Sequence, residues 1–177
     1  MRRSLIPPPS TLLQLQSLQR KANFLRRFIP NYAKITHEFT RLLKKGSEFV
    51  WDTIANNAFE ALKLSLTRAP LLFPPDNSRD NFLYLAASDY TIGMVLIQED
   101  DANDEHVIYY LSQSLTPTKI KYLHVEKLAL AAVQAIQHFR HYILSHKTIV
   151  ISHCNPIQHI LTHQLLGGKY SKWIVIL

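Results

Sequence analysis

The sequence is poor in the residue types that define several specialised protein classes. Its single cysteine, Cys154, cannot form an intrachain disulfide, which excludes a disulfide-stabilised secreted scaffold. Only 4 of the 177 residues are glycine, which excludes a collagen-like chain. Apolar runs as long as Leu128–Val133 are far too short to cross a bilayer. We therefore expect an intracellular protein, cytoplasmic or nuclear, with no membrane-spanning segment.

The sequence does contain enough apolar residues for one folded domain, alone or with an extension, since 47% are hydrophobic and 19% are charged. The charge is unevenly distributed. Residues 1–50 have a net charge of +8, whereas residues 51–177 have a net charge of −1. A basic segment joined to a near-neutral one is typical of proteins that contact a polyanion, although solvated helix faces are also basic for solubility. Charge alone leaves both interpretations open.

The first 70 residues have the periodicity of amphipathic helices. Thr11 and Gln14 have the spacing of a capping box, and apolar residues then recur at helical intervals as far as Pro30. Asn31 is in a position to cap a second amphipathic segment, which stops at Gly46. The predicted helices cover about residues 11–28, 32–44 and 53–67.

Beyond residue 80 the pattern changes to short apolar runs separated by turn residues. These runs predict strands at about 82–87, 94–98 and 107–111, joined by a tight turn at 89–93 and an acidic connection at 99–105. A long helix at 125–144 is apolar nearly all round, which indicates burial, and a strand at 148–152 and a short helix at 156–162 follow. The predicted fold class is α+β, with N-terminal helices and then a mixed sheet. A three-strand antiparallel meander and a crossover helix would bring the fourth strand parallel to the first.

An ordered series of short motifs follows this pattern. Its members are Phe24-Leu25-Arg26-Arg27-Phe28-Ile29-Pro30-Asn31, Leu42-Leu43-Lys44-Lys45-Gly46, Ala58-Phe59-Glu60-Ala61-Leu62-Lys63, Ala87-Ser88-Asp89-Tyr90, Tyr109-Tyr110-Leu111-Ser112, Glu126-Lys127, Phe139-Arg140-His141-Tyr142 and Asn155-Pro156-Ile157. Over about residues 9–175 the series resembles the region after the polymerase palm in gypsy-type LTR retrotransposon polyproteins, in a form similar to plant members. The resemblance implies a disordered leader at 1–10, a basic helical thumb or connection segment at 11–70, and a C-terminally truncated RNase H-like domain at 71–177.

The same resemblance implies where the catalytic carboxylates of an RNase H would lie. Active family members hold two Mg²⁺ ions with clustered carboxylates, and these ions activate water and stabilise the leaving oxygen. In this chain three of the family positions are occupied by Ala86, Leu128 and His153, and the fourth would lie beyond Leu177. Alanine and leucine cannot bind a metal, and histidine is a poor ligand for Mg²⁺. We therefore expect no intact catalytic site and no cofactor.

Other acidic residues are poor replacements for these carboxylates. Asp89 belongs to a predicted turn, and Glu126 lies about 200° of helix away from Leu128. The acidic stretch at 99–105 lacks the alternating oxygen ligands and glycine of a calcium-binding loop, so a solvated hairpin tip is the favoured interpretation.

A zinc site near the C-terminus is a further metal possibility suggested by residue type. Cys154, His159 and His163 have a spacing that zinc could use, with His153 as a fourth ligand. Adjacent residues such as His153 and Cys154 rarely bind one ion in good geometry. Ordinary helix-surface histidines are therefore expected, and no metal site is predicted.

The basic helical segment supplies the candidate phosphate contacts. They are Arg20, Lys21, Arg26, Arg27, Lys34, Arg41, Lys44 and Lys45. Together with the resemblance, they predict contact with the backbone of an RNA–DNA hybrid or another nucleic acid, without sequence specificity. The alternative is a solvated face opposite the apolar stripe.

The predicted function is a non-catalytic scaffold that contacts nucleic acid beside other domains of a polyprotein. No Tyr-x-Asp-Asp motif occurs, so a polymerase active site would lie outside this chain. Two alternatives stay open. The chain could be an RNase H endonuclease fragment that cleaves the RNA of a hybrid, or a retroelement remnant without a function.

Overall fold

The computed structural model describes residues 7–44, 46, 48–144, 146–162, 172–173 and 176. Most of the predicted elements fall within these ranges. The predictions for Lys45, for His163, for the first six residues of the leader and for the end of the chain at Leu177 lie outside the described residues.

Three helices form the N-terminal unit, called here the helical unit (residues 11–67). They are α1 (Leu12–Leu25), α2 (Tyr32–Thr40) and α3 (Thr53–Thr67), and 3₁₀ turns at Arg26–Phe28 and Arg41–Leu43 extend α1 and α2. Thr11 caps α1, since its hydroxyl accepts a hydrogen bond from the Gln14 N–H at 3.2 Å. The Gln14 side chain accepts from the N–H of Ser10 at 2.8 Å, one residue before the cap. The predicted start of the first helix is confirmed.

The predicted side-chain cap at Asn31 is wrong. Asn31 adopts a left-handed conformation, with φ of 56°, and its side chain makes no capping hydrogen bond to α2. The residue ends the preceding turn instead, because asparagine tolerates a left-handed backbone better than most residues with a side chain. Its carbonyl accepts the N–H of Ile35 at 3.1 Å, so the first turn of α2 still closes.

The helical unit has its own aromatic core. Phe39 and Phe59 are almost wholly buried, and the Trp51 ring lies 6.4 Å from Phe39 and 6.0 Å from Phe59 between ring centroids. Asp52, the residue after this tryptophan, caps α3 by accepting the Ala55 N–H at 2.8 Å and also pairs with Arg41. These contacts fix α3 against α2.

Four strands form one mixed sheet in the order β3-β2-β1-β4. They are β1 (Asn81–Ala87), β2 (Thr91–Glu99), β3 (Glu105–Ser114) and β4 (Thr148–Ile151). Strands β1, β2 and β3 are antiparallel in succession, and β4 is parallel to β1. The helices of this part are α4 (Pro117–Ile120), α5 (His124–His138), α6 (Arg140–Ile143) and α7 (Pro156–Thr162). The predicted fold class, with a meander and a crossover through a long helix, is confirmed.

Two predicted boundaries in the sheet domain are wrong. The helix predicted to run to residue 144 ends at His138, because Phe139 leaves the helical region at φ −97° and ψ 17° and buries its ring completely. The tight turn predicted at 89–93 is shorter, since β2 begins at Thr91 and includes Gly93. Neither boundary has a proline near it to mark it in the sequence.

Helix α5 forms the core against one face of the sheet. Its apolar run from Leu128 to Val133 is buried, as predicted, and packs in one cluster with Leu83, Leu85 and Ile160. Burying one such leucine side chain contributes roughly 2 kcal/mol, so Leu128 and Leu130 both favour the packing of α5 on the sheet.

The helical unit packs on the edge strand β3. The N–H of Ala33, in α2, donates to the Ser112 hydroxyl of β3 at 2.9 Å. The Arg27 guanidinium lies 5.7 Å from the centroid of the Tyr109 ring, also in β3.

No helix among the described residues is long and apolar enough to cross a membrane.

Candidate nucleic-acid interface and the carboxylate positions

The three family carboxylate positions lie at one end of the sheet domain. The parallel register of β1 and β4 ends at the pair Tyr84 and Ile151, and Ala86 and His153 each follow two residues later, at the same end of the sheet. Both Ala86 and His153 are exposed. Leu128, by contrast, is only 1% exposed and belongs to the core cluster.

These side chains do not fit a pair of Mg²⁺ ions. A methyl group, a buried isobutyl group and an imidazole supply no anionic oxygen, and hard divalent cations need several. In the part of the chain that the structure describes, no group of three or more His, Cys, Asp or Glu side chains could hold a metal ion.

The carboxylate of Glu126 has a structural role, whereas at Asp89 the structural contact is made by the backbone carbonyl. Glu126 bends back to the start of α5, where its Oε2 accepts the Leu123 N–H at 3.0 Å. Asp89 is exposed in the β1–β2 turn, and its carbonyl oxygen accepts a hydrogen bond from Lys127 Nζ at 2.9 Å.

Lys127 is a residue that sequence reasoning missed. It is 6% exposed, and its ammonium group also approaches the Ser88 carbonyl oxygen at 3.4 Å. Two carbonyl oxygens from the β1–β2 turn therefore solvate a buried positive charge. The available signal was a lysine immediately before the buried run of α5, but helical periodicity does not reveal which turn it reaches.

The residues considered for zinc are spread over different environments. Cys154 is half-buried and packs against the sheet core, whereas its neighbour His153 is exposed. His159 is half-buried in α7. The intervening Asn155 caps α7 through its Oδ1, which accepts the Gln158 N–H at 2.9 Å.

The acidic tip between β2 and β3 is organised around Asp100. Its Oδ1 accepts the N–H groups of Ala102 at 2.8 Å and Asp104 at 2.9 Å, and its Oδ2 lies 2.9 Å from Nε2 of His106. The hydrogen bond from His106, followed by those from the backbone, lowers the pKa of Asp100 to about 2. The carboxylate therefore stabilises the hairpin tip.

The predicted phosphate contacts divide into exposed and engaged side chains. Arg20, Lys21, Arg27, Lys34 and Lys44 are exposed, and Arg26 is half-buried.

Arg41 is engaged within the helical unit. It pairs with Asp52 and lies 3.8 Å from Glu38, and its contact with Asp52 adds to the Ala55 N–H bond in lowering the pKa of that carboxyl.

The helical unit and the β1–β2 turn share one groove of about 370 Å³. Asn31 and Lys34 form its helical side, and Ala86 and Asp89 are on the sheet side. Lys34 of the helical unit therefore lines the same groove as Ala86, the first of the positions that the resemblance assigns to carboxylates.

Comparisons with known proteins agree with this arrangement. The family described as "RNase H-like domain found in reverse transcriptase" matches residues 51–150. The chain is 31% identical over 170 residues to the "Retrovirus-related Pol polyprotein from transposon 297" of Drosophila melanogaster, covering 96% of this chain and 16% of that protein. It is also 31% identical over 161 residues to the "Transposon Tf2-3 polyprotein" of Schizosaccharomyces pombe, covering 91% of this chain and 12% of that protein. The chain thus spans about one-sixth or less of the length of these relatives.

Solved structures match nearly the whole chain. The foamy viral protease-reverse transcriptase dRH in complex with double-stranded DNA is similar with a TM-score of 0.80 and 26% identity, over 97% of this chain and 30% of that one. The same viral protein in complex with an RNA/DNA hybrid gives a TM-score of 0.79 at 26% identity, over 97% of this chain and 24% of that one.

The relatives named here are from an insect and a yeast, so the plant-like lineage stays a prediction. The match at residues 51–150 covers more than half of the chain and includes α3, the meander and α5. The chain belongs to the RNase H-like domain family found in reverse transcriptases, and its relatives are retrotransposon polyproteins.

Proposed function

We propose that this chain is a non-catalytic RNase H-like module that contacts the backbone of a nucleic acid without reading its sequence. The observation that carries the proposal is the state of the carboxylate positions: Ala86 and His153 are exposed and Leu128 is core. Two-metal hydrolysis requires carboxylates that hold both ions, and the proposal therefore includes no resident cofactor.

The nucleic-acid part of the proposal rests on charge and on similarity. Residues 1–50 have a net charge of +8, and most of their described basic side chains are exposed. Phosphate contacts by lysine and arginine release counterions and supply affinity that does not depend on sequence. The similar foamy viral proteins are complexes with double-stranded DNA and with an RNA/DNA hybrid, which supports the same ligand class for this chain.

We further propose a division of labour between two segments. Residues 11–70 act as the thumb or connection segment and carry the phosphate contacts, and residues 71 onward form the RNase H-like domain that holds them in place. The hydrogen bond from Ala33 to Ser112 supports this division, because it fixes α2 directly to β3. Other domains of a polyprotein would supply the polymerase chemistry.

The test compares two charge-matched triple variants of the full chain. Arg20→Gln/Lys21→Gln/Lys34→Gln removes exposed cations of the helical unit, and Lys121→Gln/Lys147→Gln/Lys172→Gln removes exposed cations of the sheet domain. Fluorescence anisotropy with a 20-base-pair DNA duplex and an RNA–DNA hybrid gives affinity as a function of salt. Circular dichroism and urea unfolding check that both variants are folded.

We expect the wild-type chain to bind both duplexes with similar affinity. The helical-unit variant should lower the slope of log affinity against log salt by about 0.9 for each phosphate that it no longer neutralises, and the sheet-domain variant should change it less. Failure of the wild-type chain to bind either duplex would overturn the proposed function. Equal effects of the two triple variants would overturn the assignment of binding to the helical unit.

A further inference from the structure

One aromatic ring joins the helical unit to the end of the long helix. Tyr109 in β3 has the Arg27 guanidinium 5.7 Å from its ring centroid. The rings of His138 and Phe139, at the C-terminal end of α5, lie 5.2 Å and 5.3 Å from the same ring. A basic turn of the helical unit and the end of α5 therefore meet over Tyr109.

Basic and imidazole side chains of the helical unit and of the segment at the end of α5 lie close to one another around Tyr109. Burial, then the charge of Arg26 and then that of His141 lower the pKa of His138, so both of these groups lie close enough to act on its imidazole. Arg140 is exposed in the same short stretch. The junction is defined here as Arg26, Arg27, His138, Arg140 and His141.

Two cations of the sheet domain outside the junction are paired with carboxylates. Arg79 pairs with Asp76 and Asp101, and Lys147 pairs with Asp80. Within the described residues, no carboxylate forms an ion pair with Arg26, Arg27 or Arg140. The charge of these three guanidinium groups is therefore available to an anion from outside that part of the chain.

This combination of groups suits a sugar-phosphate backbone. Guanidinium groups bind phosphate oxygens in a planar, two-pronged geometry, and their cationic neighbours raise the local potential for an anion. The half-buried Tyr109 ring beside Arg27 adds a partly exposed apolar surface for a sugar of the backbone.

We propose that the junction is a second phosphate-contacting surface, which extends the nucleic-acid interface from the helical unit onto the C-terminal end of α5. This inference rests on the proposed function and adds Arg140, His138 and His141, which belong to the RNase H-like domain, to the contact residues. A bound strand would then contact both the helical unit and the RNase H-like domain. The contact between Arg27 and Tyr109 would fix the two halves of the surface relative to each other.

The test uses Arg140→Gln with Lys121→Gln as its charge-matched control. Lys121 is exposed and precedes α5, whereas Arg140 follows it, and α5 is a helix of 15 residues and therefore about 22 Å long. Both variants remove one positive charge, and neither side chain is part of the core. Their affinities for the 20-base-pair hybrid are measured across a salt series.

We expect Arg140→Gln to lower the slope of log affinity against log salt by about 0.9 and Lys121→Gln to leave it near the wild-type value. Nuclear magnetic resonance of the imidazoles provides a second readout. The rings of Tyr109 and Phe139 lie 5.2 Å and 5.3 Å from the His138 ring, and the charges of Arg26 and His141 act on its imidazole. A bound phosphate should therefore raise the pKa of His138.

Binding with equal slopes for the two variants and an unchanged His138 titration would overturn the second surface while leaving the proposed function intact. Absence of binding by the wild-type chain would overturn both. A lower slope in Arg140→Gln alone, with a His138 pKa that rises on binding, is the result that supports the junction.

Discussion

Lys127 of α5 donates a hydrogen bond from Nζ to the carbonyl oxygen of Asp89 at 2.9 Å. A buried ammonium group thus ties the long helix to the turn that follows β1. This turn begins two residues after Ala86, where an active family member would have its first metal-binding carboxylate. In this chain the end of β1 is therefore fixed by a lysine and two backbone carbonyls.

Replacing Lys127 by alanine should destabilise the protein. The change removes both hydrogen bonds between α5 and the turn, together with the packing of the buried lysine stem. Because the exposed turn carbonyls bind water instead, a cost of about 1 kcal/mol is expected. Urea unfolding followed by circular dichroism measures the destabilisation. Lys121→Ala, at an exposed position, is the control and should change the free energy of unfolding by less than about 0.5 kcal/mol. Equal stability of the two variants would show that the turn does not depend on Lys127.

Placing carboxylates at two of the family positions should have very different effects on the free energy of unfolding. Ala86→Asp places a charge on the exposed side of β1 and should change stability by less than about 0.5 kcal/mol. Leu128→Glu buries a carboxylate among apolar side chains and should cost at least as much as Leu128→Ala, for which about 2–5 kcal/mol is expected. Comparing the free energies of unfolding of Ala86→Asp, Leu128→Glu and Leu128→Ala tests this prediction. A well-folded Leu128→Glu protein would show that position 128 can reach solvent.

Acid should weaken the β2–β3 hairpin through Asp100. Its folded-state pKa is lowered to about 2, chiefly by the hydrogen bond from His106, from an ordinary value of 3.8. A lowered folded-state pKa means that the stabilisation is complete above the unfolded-state pKa and disappears as the pH falls from about 4 towards 2. Asp100→Asn should therefore be less stable than wild type at pH 7, and the difference should vanish near pH 2.

The control for this pH prediction is Asp104→Asn, in the same exposed tip. Thermal unfolding at several pH values compares the two variants with the wild-type chain. A stability difference between wild type and Asp100→Asn that stays constant from pH 7 to pH 2 would contradict the assigned role of the Asp100 carboxylate.

Local signals explain why much of the fold was predictable. Helix α3 was expected at residues 53–67 and lies at Thr53–Thr67, because Asp52 is a strong cap and the apolar spacing stops before Pro70. The topology followed from a short turn after β1 and a long buried helix before β4. The end of α5 was not predictable from local sequence. The helix ends just before Phe139, whose ring is buried, and the packing of that ring depends on the sheet against which α5 lies.

The sequence predicted which residues belong to the candidate site but not which of them contact one another. The resemblance located Ala86, Leu128 and His153, and helical periodicity already indicated that Leu128 is buried. The sequence could not reveal that Arg27 reaches Tyr109, because the two residues lie 82 positions apart and meet only when the helical unit packs on β3. Nor could it separate Arg41, which Asp52 engages, from the exposed cations around it.

The most direct test of the central claim is an RNA cleavage assay with the purified full chain. A labelled RNA–DNA hybrid is incubated with the protein in Mg²⁺ or Mn²⁺, beside an active RNase H as a positive control. We expect no cleavage above the protein-free background, because the family positions supply no carboxylates to hold the two ions that the hydrolysis requires. Metal-dependent cleavage by the wild-type chain that disappears in a folded Asp89→Asn/Glu126→Gln variant would contradict the claim and establish an active nuclease.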